Sequence, residues 1–279
     1  MRQSKRLRVL FTLLSFAIIV AIWWILAETR FRLTGIIPTP PETVRIIWEE
    51  MQTDSFFRAV FSTMERAFIS FFISFVTASV LAVLAHYKKF IDHLLDPFIV
   101  LCRAMPTMAL VLILLITVGS RMLPIVVAFL IVFPLCYENM RAAIAETDTK
   151  LIMMARVFKV PRIQQITGIY IPAMLPLVFS SIVAGFGLNI KVVISAEVMG
   201  LPAMSIGHLI LFAQQGFNFG VSFAWLVVAV ILCLVCESML RVLQRLCMPY
   251  KYPDLKILKK ALKKIVVWKK KNNRNEAAQ

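Results

Sequence analysis

Charge is scarce in this chain. Only 16% of its 279 residues are Asp, Glu, Lys or Arg, and only 15 residues are acidic, where a soluble domain carries about 25% charged residues. With 60% hydrophobic residues and mean hydropathy +0.82, a water-soluble fold could not hide the apolar surface. A bilayer can, because lipid is the apolar solvent. Histidine is rarer still: His86, His93 and His208 are scattered and form no metal constellation. The cysteines are Cys102, Cys136, Cys233, Cys236 and Cys247, and four lie in or beside apolar runs. Cys233 and Cys236 make a CxxC with no second pair or nearby histidine, so they read as small residues on a membrane helix, and no metal site is expected. No GxxxxGK[ST] phosphate loop occurs, so the chain has no nucleotide site of that kind. No cleavable signal peptide is expected either, because the first apolar run is too long and no small-residue cleavage site follows it.

What the chain does have is long apolar runs, near 9–27, 67–87, 99–118, 122–138, 172–196 and 221–240. A spanning helix needs roughly 20 apolar residues. The runs therefore predict an all-α membrane protein of about six transmembrane helices, with both termini on one side. Net charge is +16, but its distribution argues against nucleic acid: 12 of the 31 Lys and Arg lie after residue 240, and most others flank apolar runs. With the N-terminus inside, the inner segments hold 23 Lys and Arg and the outer ones 5. Positive charge is retained on the cytoplasmic side, so the expected topology is N-in, C-in. The resulting parts are a basic cytoplasmic N-terminus at 1–8, a membrane domain at 9–245 and a basic cytoplasmic tail at 246–279. The tail is expected to lie on the anionic inner leaflet or to be partly disordered.

The connections carry their own signals. Residues 36–44 contain Pro38, Pro40 and Pro41, and predict a rigid turn and an amphipathic outer helix over about 42–52, capped near Thr39. Residues 199–220 are polar but uncharged and read as an outer re-entrant loop or gate. The inner loop 139–171 is long enough for two helices. Asp148 can cap the first, in which Leu151, Ile152, Ala155 and Phe158 recur at helical spacing beside Arg156. Pro161 ends it, and a second helix runs from near Arg162 into the fifth span at Pro172.

This loop resembles the signature EAA-x3-G-x9-I-x-LP of permease subunits in binding-protein-dependent ATP-binding cassette (ABC) importers. Met153-Met154-Ala155 stands at EAA, Lys159 at the glycine, and Ile169, Ile171 and Pro172 at the closing residues. Ala155, Ile169 and Pro172 match, whereas the opening Glu and the Gly are replaced. Other segments are similar to the nitrate/sulfonate/taurine branch: Ile37 to Val44, Leu95-Asp96-Pro97, Arg103-Ala104-Met105-Pro106, Phe133-Pro134, Ala196 to Gly200, and Ile206 to Ile210. The resemblance covers about 36–245. It implies a type I importer permease core, in the cell membrane of a prokaryote, which binds no cofactor itself. It also implies a second permease copy, two ATPase subunits using ATP and magnesium, and an extracytoplasmic binding protein. The solute would be a nitrate-, sulfonate- or taurine-like ion, or a thiamine-precursor pyrimidine. The ATPase-coupling loop would comprise Leu151, Ile152, Met153, Met154, Ala155, Arg156, Phe158, Lys159, Pro161, Ile169 and Pro172. Lys at the glycine position costs energy if the turn is left-handed; otherwise Val160-Pro161 supplies the break.

Two charges inside the fifth run are candidate path or gate residues. Glu197 matches the family's Glu and reads as a gate or packing group, or as an interfacial carboxylate. Lys191 either attracts an anionic solute or pairs internally. The two lie on different faces and are not expected to pair, and Arg103 is close enough to the inner face to snorkel. The rival readings are an ATP-independent channel or a membrane-embedded enzyme, although no nucleophile–base pair shares a face.

Overall fold

The computed structural model describes residues 5–29, 36–147 and 149–247. The basic segments expected at the two ends lie mostly outside the described residues, as does Asp148. Among the described residues the chain is helical and has no strand. Helix α1 spans Lys5–Thr29, α2 Pro40–Met51, α3 Asp54–Tyr87, α4 Lys89–Ala104, α5 Thr107–Val118 and α6 Leu123–Ala145. Then come α7 at Thr149–Val157, α8 at Arg162–Gln165, α9 at Ile171–Gly200, α10 at Ile206–Gln215 and α11 at Phe219–Cys247.

The bundle core is α3, α6, α9 and α11, each long and apolar enough to cross a membrane. The stripe that lets α3 pack is legible residue by residue. After Phe56 near its start, its buried positions are Ala59, Thr63, Ala67, Ser70, Ser74, Ala78, Ala82 and Ala85, three or four apart and all small. Apolar burial does not drive helices together in lipid, so close backbone approach and interhelical hydrogen bonds do the work. Asn189 of α9 is fully buried, donates to the Ala67 carbonyl at 2.7 Å and accepts from Ser70 at 3.1 Å. Phe186 packs beside it, edge-on to Phe71 at 5.2 Å. The opposite face of α3 is large and exposed, with Phe57, Phe61, Phe68 and Phe72, as a lipid-facing surface requires.

The apolar run 99–118 is not one straight helix. It divides between α4 and α5, which meet at 102°. Pro106 lacks an N–H and forces the residue before it out of helical geometry; Met105 has ψ 129° and Pro106 ψ 120°. Among the described residues, four single helices therefore qualify as spans, five if the bent pair counts as one, and the apolar stretch Leu13–Thr29 of α1 is too short to qualify.

Helix α2 forms at the predicted place. The Thr39 N–H donates to Glu42 Oε2 at 2.8 Å, closing its first turn. It packs against α11. Trp23 of α1 reaches the same region, donating to the Pro38 carbonyl at 3.1 Å. The segment expected as a re-entrant loop holds α10, a ten-residue helix on α9 and α11. Ser205 caps it by accepting from the His208 N–H at 3.1 Å.

Candidate functional site

Glu197 sits near the end of α9 with no solvent exposure. An ionised carboxylate there must be paired, and three elements supply partners. Thr63 of α3 donates from Oγ1 to Oε2 at 2.9 Å, and Arg66 of α3 donates from Nη1 to Oε1 at 2.9 Å. The Gly207 N–H of α10 donates to Oε2 at 3.3 Å. Thr63 Oγ1 also accepts from the Ile206 N–H at 3.1 Å, so one hydroxyl serves both helices. A Cβ on Gly207 would lie 2.5 Å from Glu197 Cβ and from the Val198 nitrogen, so only glycine lets α10 approach this closely. Glu197 and Lys191 do not pair, as expected. The Arg66 partner, 131 residues away, was not legible in sequence.

Lys191 is a different case. Its side chain is 65% exposed and its Nζ is 3.9 Å from Glu237 Oε1 of α11. Glu237 also pairs with Arg241 at 2.9 Å. A Cβ on Gly187 would lie 2.4 Å from Glu237 Oε1, so the carboxylate occupies the notch that this glycine leaves. Glu237 and Arg241 were not singled out from sequence; an acidic residue among apolar neighbours on the sixth run was the available signal.

A third polar group ties α4 to α6. Arg141 pairs with Asp92 at 2.9 Å and with Asp96 at 3.2 Å, and the Tyr137 hydroxyl donates to Asp92 at 3.1 Å. Arg103 pairs with Glu138 at the same surface, so it has a protein partner instead of only snorkelling.

The hairpin α7–α8 projects from the bundle ahead of α9. Helix α7 ends in a Schellman turn: the Val160 N–H donates to the Ala155 carbonyl at 2.9 Å, around Lys159 at φ +51°. Lys159 thus takes the left-handed conformation that the family's glycine would favour. Pro161 then opens α8 instead of ending α7. Gln165 Nε2 donates back to the Val160 carbonyl at 2.7 Å, which braces the turn. Of the predicted docking residues, Ala155 is buried, Ile152 half-buried, and Met153, Met154 and Phe158 exposed. The side chains of Leu151 and Arg156 lie outside the described residues. Ile169 lies in a π turn over Ile166–Tyr170 that joins α8 to α9, and Pro172 is the second residue of α9. The run Arg162–Gly200 is thereby one helical rod of 39 residues, from the hairpin to the Glu197 clamp.

A cleft of about 710 Å³ opens between α1, α2 and the α10–α11 turn, lined by Trp24, Arg45, Glu49 and Phe219 among others. None of the site residues expected from sequence lies in it.

The family model described as "Binding-protein-dependent transport system inner membrane component" matches residues 57–247. The chain belongs to this family. Members of this inner membrane component family are permease subunits of binding-protein-dependent ABC importers, and they work with a separate ATPase and a binding protein. This permease is therefore a multi-pass membrane protein and a transport subunit, not itself an enzyme. It is 26% identical over 233 residues to SsuC of Bacillus subtilis strain 168, described as an aliphatic sulfonates transport permease protein, covering 82% of this chain and 83% of the relative. It is 23% identical over 234 residues to an ABC transporter permease protein of Brucella melitensis biotype 1, covering 84% and 94%. Among solved structures, the MetNI methionine ABC transporter in an inward-facing conformation matches with TM-score 0.57 at 20% identity, over 70% of this permease and 97% of that chain. A bacterial ABC transporter involved in alginate import matches with TM-score 0.58 at 17% identity, over 86% and 97%. These structures establish the type I importer fold. The channel and enzyme readings find no support.

Proposed function

We propose that this permease, working as a homodimer with N-in, C-in topology, passes a small sulfonate-type solute delivered by a binding protein. Two ATPase subunits, which hold the ATP and magnesium, dock on the α7–α8 hairpin. The observation that carries the docking assignment is the exposed apolar tip of that hairpin. Met153, Met154, Val157 and Phe158 are all more than half exposed at the head of the 39-residue rod. Exposed apolar side chains on a short helix suit a groove in a partner. With Met153 in place of a Glu, docking rests on packing more than on charge. The braced Schellman turn at Lys159 holds the tip rigid, so a push on it passes into α9. Glu197, at the rod's far end, would then act as the latch that couples α9 to α3 and α10. The sulfonate assignment is supported by the description of the Bacillus subtilis relative.

The test is purification of the transporter in mild detergent. Phe158→Asp combined with Val157→Asp should remove the ATPase from the complex while the permease still inserts, because both residues are exposed. Deletion of 151–160 should do the same. ATPase retained at wild-type level in both variants would refute the docking assignment.

A further inference from the structure

The spanning helices differ in what they expose. α3 and α11 show lipid large side chains such as Phe61, Phe68, Phe72, Leu226, Val230 and Leu234. On α9 no large hydrophobic residue is exposed between Ile171 and Leu201. Its exposed stripe is Ser180, Ala184, Lys191 and Ser195, spaced by four, seven and four residues on one helical face. Such a face gains little from lipid. A 65% exposed lysine nine residues, about 14 Å, before the helix end is costly in hydrocarbon unless water reaches it.

The charges around Lys191 do not cancel. Lys191 and Arg241 share the single carboxylate of Glu237, which leaves the trio at net +1. Glu237 is mostly buried against Gly187, whereas Lys191 and Arg241 are mostly exposed. The negative charge is thus turned inward and the positive charges outward. Gln244, which donates to Ser180 at 3.3 Å, continues the polar surface along α11.

We propose that Lys191 and Arg241, buttressed by Glu237, form a cationic station on the water-filled solute path that favours anions. This rests on the reading of the chain as a sulfonate-type permease and assigns a specificity-determining residue within it. Fixed cationic side chains lining a pore discriminate by charge, and a low-dielectric wall focuses their field.

The test requires no knowledge of the solute. Ser195→Cys is placed one turn from Lys191, with the accessible Cys236 and Cys247 replaced by Ser. Membranes carrying the permease are treated with the anionic reagent sulfonatoethyl methanethiosulfonate or its cationic trimethylammonium analogue. Each rate is divided by the reagent's rate with a free thiol. The station predicts about a tenfold preference for the anionic reagent, the lower end of electrostatic focusing in a cleft. Lys191→Gln should erase the preference and Lys191→Arg should keep it. No reaction with either reagent would place this face in lipid and overturn the proposal. So would a preference unchanged by Lys191→Gln. ATPase co-purification, measured on the same variants, reports hairpin docking separately, so either reading can fail without the other.

Discussion

Arg66 Nη1 lies 2.9 Å from Glu197 Oε1, across two helices, with the Glu197 side chain fully buried and Arg66 only 13% exposed. Removing one member of such a pair leaves an uncompensated charge, which costs about 3–5 kcal/mol. Glu197→Ala should therefore lower the Tm of the detergent-solubilised permease far more than a surface change does. Glu197→Ala combined with Arg66→Ala should cost less than the sum of the two single changes, because the orphan charge is gone. Additive losses would mean that the pair is not coupled.

The contrast is Arg141, which holds Asp92 and Asp96 but is 50% exposed. Exposed pairs are worth about 0–1 kcal/mol. Arg141→Gln should shift Tm by only a fraction of the Glu197→Ala shift, measured in the same detergent. An equal shift would show that α4 depends on this pair more than its exposure indicates.

Gly207→Ala should separate α10 from α9, because its Cβ would meet Val198 backbone at 2.5 Å. Gly216→Ala is the control: its nearest neighbour would be at 3.5 Å, ordinary contact. Cysteine cross-linking between α9 and α10 should fail in the first variant and persist in the second. Equal cross-linking in both would show that the helices need no such close approach.

Some of this was readable in sequence and some was not. Local chemistry was: Thr39 ahead of Pro40 and Pro41 predicts the α2 start, and the loop before Pro172 predicts a helix pair. Its turn was left open between Lys159 and Val160-Pro161, and the backbone puts the left-handed residue at Lys159. The 99–118 run misled because apolar residues at 99–105 satisfy a span by hydropathy, while Pro106 redirects the backbone. Long-range pairing was out of reach. Glu197 stood out as a buried-charge candidate, but nothing local connects it to Arg66 or Thr63, and Lys191 gives no hint of Glu237 on α11. Those partners come from packing, which the small-residue stripe of α3 permits for Glu197 and the notch at Gly187 permits for Glu237.

Lys159 at φ +51° carries a conformational cost that glycine would not. Lys159→Gly should stabilise the folded hairpin by about 1 kcal/mol, offset in part by the greater freedom glycine has when unfolded. Lys159→Val should loosen it, since a β-branched residue disfavours this region. Amide hydrogen exchange over residues 150–165 reads both. Faster exchange in Lys159→Gly would contradict the turn assignment.

The central claim is that an ATPase subunit grips the apolar tip of the α7–α8 hairpin. The most direct measurement places a photoreactive benzoylphenylalanine at position 158 and irradiates the intact transporter in its membrane. The account predicts a covalent adduct between the permease and the ATPase subunit, lost when the same group is moved to Phe72 on the exposed face of α3. An adduct of equal yield from Phe72, or none from position 158, would contradict it.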